Sequence, residues 1–185
     1  MDWTDIMTFF REGTKSTYAA GEESLIGERG LKFWEYRSNR GPLSGLLYRD
    51  EYRSRVSGQY DRVVGARTIF LLSLPIWIMS YEGYYQIDNP ELIILHKKAL
   101  LEGAEEENFS LTGGRGPGVV TNGGPIEGLR YMNSVSFSKE HRAPRSGDKR
   151  GFLDYHGYEE ISQGLEHIAL LRFDYSAMAL VDFLP

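Results

Sequence analysis

Apolar residues recur at helical spacing near the start of the chain. Side chains three and four residues apart are apolar there, at Trp3, Ile6, Met7 and Phe10. This spacing is typical of an amphipathic helix with one buried face. The pattern predicts a short helix over residues 3–12, and Gly13 is expected to end it.

A second helix is predicted from residue 89 onward. Asn89 supplies a capping side chain, Pro90 suits the first helical position, and Glu91 places an acid in the first turn. The predicted buried face then consists of Leu92, Leu95, His96, Ala99 and Leu100. Gly103 is expected to end this helix, because glycine readily adopts the backbone conformation found after a helix.

Each predicted helix precedes a β-rich segment, and the two segments resemble each other. Residues 41–50 (GPLSGLLYRD) align without a gap on residues 124–133 (GPIEGLRYMN). Farther along, residues 58–61 (GQYD) resemble residues 157–160 (GYEE), and residues 77–81 (WIMSY) resemble residues 171–175 (LRFDY). The last pair alternates with a period of two, as a half-buried strand does.

Both halves of the chain show the same order of helix, Gly-Pro turn and strands, and this shared order predicts an internal duplication. We expect an α+β fold made of two tandem pseudo-symmetric β-rich repeats with antiparallel strands, each preceded by a helix. The first helix-plus-sheet repeat would span residues 1–88 and the second residues 89–185, together forming one globular unit. The second repeat carries an insertion at residues 139–150, rich in Arg, Lys, Pro and Gly, which predicts an exposed loop.

Strand alternation indicates which side chains share a face of the sheet. In the first repeat these are Leu46, Tyr48, Asp50 and Tyr52, and in the second they are Leu129, Tyr131, Asn133 and Val135. If the two faces meet, polar groups converge in an aromatic cleft between the repeats, a common form of ligand site. The predicted ligand-binding residues are Tyr48, Asp50, Tyr52, Trp77, Tyr81, Tyr131, Asn133 and Tyr175. In the alternative interpretation, Tyr48 and Tyr131 simply pack in the core.

Composition excludes several classes of function. The formal net charge is −5, which disfavours a general nucleic-acid binder, because affinity for phosphates depends on clustered Lys and Arg. The chain has no cysteine, so disulfides, thiolate metal sites and cysteine nucleophiles are excluded. The absence of cysteine and of a signal peptide favours the cytoplasm, and the longest apolar stretch is too short to cross a membrane.

Cofactor and metal motifs are weak in this sequence. The histidines are scattered, and the glycine-rich run at residues 113–118 lacks the Lys-Ser/Thr ending of a phosphate loop, so no metal and no cofactor is expected. Carboxylates beside aromatic rings leave one catalytic possibility, because burial raises a carboxyl pKa towards values useful for acid–base work. Asp50 and Glu159 are the candidate catalytic residues, each acting with a tyrosine.

The chain also resembles a bacterial family known as domain of unknown function 5680. The resemblance rests on six segments in the same order: TKSTYAAG at residues 14–21, WEYR at 34–37, LYRDEY at 47–52, PIWIMSYEG at 75–83, RGP at 115–117 and GYEEI at 157–161. Members of that family occur alone or behind a helix-turn-helix in regulators. The resemblance therefore supports the architecture and implies no particular reaction.

Two functions from different classes remain. The first is a small-molecule-binding domain with an aromatic cleft between duplicated halves, acting as a sensor, a sequestering protein or an accessory protein. The second is a cofactor-independent enzyme, a cyclase, isomerase or lyase, that uses carboxylate–tyrosine chemistry on a small organic substrate. In either case the expected partner is a small organic molecule rather than a nucleic acid or a membrane. A homodimer formed through edge strands also stays open.

Overall fold

The computed structural model describes residues 3–21, 23–105, 115, 119–121, 128–137, 154–164 and 168–179. Within these ranges the chain forms two α-helices, α1 (Trp3–Lys15) and α2 (Pro90–Glu105). The same ranges contain nine strands: β1 (Leu25–Ile26), β2 (Lys32–Arg37), β3 (Leu46–Ser57), β4 (Tyr60–Leu71), β5 (Leu74–Gln86), β6 (Val119–Thr121), β7 (Leu129–Phe137), β8 (Tyr155–Gln163) and β9 (Ile168–Ala179). The α+β class predicted from the sequence is therefore confirmed.

All of these strands join one antiparallel sheet in the order β1-β2-β3-β4-β5-β9-β8-β7-β6. The strands before α2 and those after it meet where β5 pairs with β9, from Trp77 opposite Ala179 to Tyr85 opposite Leu171. Residues 1–88 and 89–185 thus contribute to a single continuous sheet. The boundary between them falls just before α2.

Both helices cover the same face of the sheet. Tyr48 of β3 contacts Phe10 of α1, with ring centroids 5.8 Å apart. Asp50, two residues farther along β3 and therefore on the same face, borders a cavity that α2 also lines. The hydrophobic core is divided accordingly, with one cluster under α1 around Trp77 and another under α2 around Tyr131.

The predicted buried faces of α2, β3 and β7 are confirmed for most of their residues. All five residues expected on the inner face of α2 are buried. On β3 the side chains of Leu46, Tyr48 and Asp50 are buried, and on β7 those of Leu129, Tyr131 and Asn133 are buried. Alternation along a strand and a four-residue spacing along a helix identified these faces without any knowledge of the tertiary contacts.

The predicted ends of both helices are wrong. Gly13 does not end α1, which continues to Lys15, and Gly103 is buried inside α2, which continues to Glu105. Gly13 is needed for packing: a Cβ atom at that position would lie 2.6 Å from Cγ of Tyr48. Helix α1 therefore approaches β3 closely at a residue with no side chain, a role that a local helix-end pattern does not reveal.

One of the predicted correspondences between the repeats does not hold. Gly58 lies in the turn between β3 and β4 with a φ of 64°, whereas Gly157 lies within β8. In the strand register it is Gly65 that faces Tyr81, just as Gly157 faces Tyr175. The predicted insertion at residues 139–150 lies outside the described residues, as does the glycine-rich run apart from Arg115.

No helix among the described residues has both the length and the apolar character needed to cross a lipid bilayer.

Candidate functional site

A cavity of about 190 Å³ lies between α2 and the covered face of the sheet. Helix α2, the turn after α1, the strands β2 to β5 and β9, and Arg115 all contribute to its walls. The lining residues are Tyr18, Trp34, Asp50, Tyr52, Val63, Arg67, Tyr81, Tyr85, Ile93, His96, Arg115 and Phe173. Aromatic and aliphatic surfaces thus surround a few charged groups, which is the usual composition of a small-molecule site.

The aromatic walls are held in place by ring stacking. Trp34 of β2 stacks on Tyr52 of β3, with centroids 5.5 Å apart and planes 17° apart, and Tyr18 meets Trp34 edge-on at 5.4 Å. In another part of the wall, the His96 ring of α2 stacks on the Phe173 ring of β9, with centroids 5.5 Å apart and planes 18° apart. Such contacts fix ring orientations, so the cavity offers flat, preformed surfaces to a ligand.

A buried ion pair lies at the sheet side of the cavity. Asp50 of β3 and Arg67 of β4 are register partners, each 2% exposed. Arg67 donates from Nε to Asp50 Oδ2 at 3.0 Å, and the Tyr81 hydroxyl donates to Asp50 Oδ1 at 2.8 Å. Burial, followed by the charge of Asp50, raises the pKa of Tyr81 well above its usual value. Tyr81 therefore stays protonated and acts as a donor.

Glu159 of β8 is the centre of a second buried cluster. Its side chain is fully buried and has three hydrogen-bond partners. The Tyr131 hydroxyl donates to Oε2 at 2.8 Å, and Oε1 contacts both His96 Nε2, at 2.9 Å, and the Arg115 guanidinium. A carboxylate that deep in a protein requires such pairing, so this cluster stabilises the fold only while all its members are present.

Arg115 connects the two clusters. Its guanidinium carbon lies 5.6 Å from the ring centre of Tyr81 and 5.7 Å from that of Tyr175, in cation–π geometry. Burial, and then the positive charge of Arg67, lowers the pKa of Arg115 from its usual value. One guanidinium is therefore bound to Glu159 while it also borders the cavity beside Tyr81.

The neighbourhood of Tyr175 repeats the geometry found around Tyr81. The Tyr175 hydroxyl donates to Asn133 Oδ1 at 2.6 Å, as the Tyr81 hydroxyl donates to Asp50. A Cβ atom on Gly157 would lie 2.6 Å from the Tyr175 hydroxyl oxygen, and one on Gly65 would lie 2.6 Å from the Tyr81 hydroxyl oxygen. Each tyrosine thus crosses over a strand glycine to reach a side-chain oxygen on the next strand.

The predicted ligand-binding residues divide into two groups. Asp50, Tyr52 and Tyr81 line the cavity, whereas the other five do not: Tyr48, Trp77, Tyr131, Asn133 and Tyr175. The latter five are buried elsewhere, and burial raises the pKa of Tyr48 to about 12. For Tyr48 and Tyr131 the structure agrees with the alternative interpretation, in which both tyrosines pack in the core.

The expected meeting of Asp50 with Asn133 does not occur. Their strands, β3 and β7, are separated in the sheet by β4, β5, β9 and β8. Each side chain instead accepts a hydrogen bond from a tyrosine two strands away, Tyr81 for Asp50 and Tyr175 for Asn133. The cavity consequently lies between one helix and the sheet rather than between two facing repeats.

Several cavity residues were not predicted from the sequence. Trp34, Arg67, Tyr85, His96 and Arg115 all border the cavity. His96 was assigned only to the buried face of α2, although a histidine among leucines and alanines is itself an indication that a polar partner is buried nearby. The positions of Arg67 and Arg115 depend on contacts with residues far away in the sequence, which a local pattern does not contain.

Among the residues that the structure describes, no group of three or more His, Asp or Glu side chains is arranged to hold a metal ion.

Comparison of the chain with family models, with curated proteins and with solved structures found no match. The resemblance to domain of unknown function 5680 therefore stays a prediction.

Stability should depend on pH through His96. Burial, and then the positive charges of Arg115 and Arg67, lowers the pKa of His96 well below its usual value of 6.5. The unfolded chain therefore binds a proton below pH 6.5 that the folded chain does not, and folding weakens as the pH falls. We expect the free energy of unfolding to fall by about 1.4 kcal/mol per pH unit below 6.5 from this group alone.

Urea unfolding at several pH values between neutrality and mild acid measures this dependence. The His96→Gln variant should lose that part of the slope, whereas His156→Gln, a change at an exposed histidine on β8, should keep it. Equal slopes for wild type and His96→Gln would show that His96 takes up a proton equally well in the folded state.

Proposed function

We propose that this protein binds a small, planar organic molecule in the cavity beneath α2, as a sensor, a sequestering protein or an accessory protein. The observation that carries the proposal is the cavity itself, about 190 Å³ in volume and bordered by aromatic rings and buried charged groups. The buried charged groups Asp50, Arg67 and Arg115 at its wall support the proposal, since a few polar groups among aromatic rings are typical of a ligand site.

The volume of the cavity suits a ligand of one or two fused rings. An apolar protein cavity of about 150 Å³ is known to hold a benzene molecule, so the present volume admits a slightly larger ring system. The stacked pairs Trp34–Tyr52 and His96–Phe173 offer flat faces to such a ring. Planar aromatic or heteroaromatic molecules therefore fit the site better than flexible chains or polar sugars.

We also infer that the fold arose by internal duplication, with the ligand site specialised in one region. The strand order β2-β3-β4-β5 is followed by β9-β8-β7-β6, so corresponding strands are placed symmetrically about the β5–β9 pair. Register shifts occur after Ile69 in one half and after Ile161 in the other. Because Tyr48 pairs with Ile69 and Tyr131 with Ile161, these irregularities fall at corresponding positions.

The duplication accounts for the asymmetry of the two clusters. Asp50 faces Arg67 in one half, and at the corresponding positions Asn133 faces Glu159 in the other. The sign of the charge on the inner strand is reversed between the halves, and Arg115 and His96 supply the partners for Glu159. Two related scaffolds thus support different buried polar groups, which is how a duplicated fold acquires one specific site.

A second candidate function is a cofactor-independent acid–base enzyme, either a cyclase, an isomerase or a lyase. The observation in its favour is the series of contacts from the Tyr18 hydroxyl to His96 Nδ1, at 3.4 Å, and from His96 Nε2 to Glu159. In this arrangement Glu159 positions His96, and His96 rather than Asp50 would take the proton. An enzyme would convert its bound ligand, whereas a binding protein would release the ligand unchanged.

Filling the cavity tests the proposed function directly. Val63 lines the cavity, and its neighbour Val64 lies on the opposite face of β4, 59% exposed. We expect toluene to bind the full chain saturably and the Val63→Phe variant to bind it at least about tenfold more weakly, because the added ring occupies the same space. Isothermal titration calorimetry measures both affinities.

The Val64→Phe variant is the matched control, because it introduces the same ring one residue away on the exposed face. It should bind toluene as the wild type does. Thermal unfolding of both variants establishes that each is folded before binding is compared. Unchanged binding by Val63→Phe, or an equal loss in both variants, would contradict a ligand site in this cavity.

A further inference from the structure

His96 is set into the cavity wall by contacts on three sides. It lies on α2, is 3% exposed, and stacks on Phe173 of β9, which also lines the cavity. Its Nε2 atom lies 2.9 Å from Glu159 Oε1, and its Nδ1 atom lies 3.4 Å from the hydroxyl of Tyr18. Both Tyr18 and His96 border the cavity. The ring can therefore neither rotate freely nor leave the site without breaking the Glu159 cluster.

The contacts of Glu159 determine which nitrogen of His96 carries the hydrogen. Glu159 accepts hydrogen bonds from the Tyr131 hydroxyl and the Arg115 guanidinium, and it also contacts His96. Hydrogen bonds from these donors keep the carboxylate ionised. An ionised carboxylate only accepts hydrogen bonds, so Nε2 of His96 must be the donor. In a neutral imidazole the other nitrogen is then an acceptor, which leaves a lone pair on Nδ1.

The hydroxyl of Tyr18 satisfies that lone pair only weakly. Its 3.4 Å separation from Nδ1 is longer than the roughly 2.8 Å of a strong hydroxyl hydrogen bond. Burial is the largest cause that lowers the pKa of His96, so the ring stays neutral and the acceptor persists at neutral pH. A ligand hydroxyl or N–H at the usual hydrogen-bond distance from Nδ1 would make a shorter bond than Tyr18 makes.

We propose that His96 Nδ1 is the recognition atom of the cavity and that the ligand is a neutral, planar molecule bearing a hydroxyl or ring N–H donor. This inference rests on the proposed function, because it names the ligand class of the same cavity. The geometry that carries it is the acceptor nitrogen beside Tyr18, oriented by Glu159 and bordered by the flat faces of Phe173 and Trp34.

The charges at the cavity explain why the ligand is neutral. Asp50 is paired with Arg67 at 3.0 Å, and Glu159 is paired with Arg115, so the four charged groups balance in two ion pairs. Among the lining residues that the structure describes, a charged ligand would meet no charged group outside these two ion pairs, and its desolvation would be costly. A phenol-like or azole-like molecule brings a donor without a net charge.

Phenol and toluene are suitable probes, because they have the same shape and differ in a single hydrogen-bond donor. In calorimetric titrations of the full chain we expect phenol to bind about tenfold more tightly than toluene, the effect of one net hydrogen bond. In the His96→Phe variant the two affinities should become equal, with toluene binding retained. The control His156→Phe, at an exposed histidine on β8, should keep the preference for phenol.

A measurement on the wild type makes the test independent of whether His96→Phe folds. In ¹⁵N NMR spectra at neutral pH, His96 should show a protonated Nε2 and an unprotonated Nδ1, and the Nδ1 resonance should shift with phenol but not with toluene. Equal binding of both probes, a preference that survives in His96→Phe, or a protonated Nδ1 in the free protein would overturn the inference while leaving the cavity a binding site. Binding of neither probe would overturn the proposed function as well.

Discussion

The Glu159→Gln variant is expected to lose about 3–5 kcal/mol of its free energy of unfolding, because it removes the charge at the centre of a buried cluster. The substitution keeps the size of the side chain and removes its charge. Arg115, itself 2% exposed, then remains buried beside a neutral amide, and the donors from His96 and Tyr131 lose a charged acceptor. Removing one partner of a buried ion pair is far more costly than removing one partner of a surface ion pair.

Urea unfolding at neutral pH measures the effect, and the adjacent residue supplies the control. Glu160 contacts Arg172 at 3.4 Å on the more exposed face of β8. Glu160→Gln should therefore change the free energy of unfolding by less than about 1 kcal/mol. If Glu159→Gln were no more destabilising than Glu160→Gln, Glu159 would not be the centre of the buried cluster.

The Asp50→Asn variant should be destabilised by about 3 kcal/mol or more, for the same physical reason in the other half of the sheet. Arg67 would keep its buried position and lose the carboxylate that neutralises it. Asn133, which also accepts a hydrogen bond from a tyrosine two strands away, shows that an amide is accepted in this geometry, but its strand partner is Glu159 and not an arginine. The cost therefore arises from the pairing and not from the shape of the amide.

A double-mutant cycle separates these two causes. Arg67→Leu removes the guanidinium, so Asp50→Asn introduced into that background should cost much less than in the wild type. Glu51→Gln, on the neighbouring position of β3, is the partly exposed control and should change stability by less than about 1 kcal/mol. Equal costs of Asp50→Asn in both backgrounds would mean that the ion pair contributes nothing to the fold.

The parts of the fold that depend on local periodicity could be predicted from the sequence. The inner faces of α2 and β3 follow from the spacing of apolar residues, and both were identified correctly. The pairing of β5 with β9 could not be predicted, because it joins residues between 86 positions (Tyr85 and Leu171) and 102 positions (Trp77 and Ala179) apart in the sequence. Gly13 shows the same limit, since its role in α1 is to admit the ring of Tyr48 from a distant strand.

The candidate site was predicted only in part, for a related reason. Asp50, Tyr52 and Tyr81 could be predicted because every second side chain of a strand lies on the same face of the sheet. The roles of three other residues, His96, Arg67 and Arg115, depend on contacts with partners elsewhere in the fold. Their burial and these contacts determine their charge states. The resemblance between residues 58–61 and 157–160 was misleading, because Gly58 lies in a turn, whereas Gly65, like Gly157, faces a tyrosine in the strand register.

The most direct test of a ligand in this cavity uses two pairs of neighbouring methyl-bearing residues. Val63 and Ile93 line the cavity, whereas Val64 and Ile94 are 59% and 63% exposed. In NMR spectra of the full chain saturated with toluene, we expect nuclear Overhauser contacts from the ligand to the methyl groups of Val63 and Ile93. Contacts confined to the exposed pair, or none to either pair, would contradict the account.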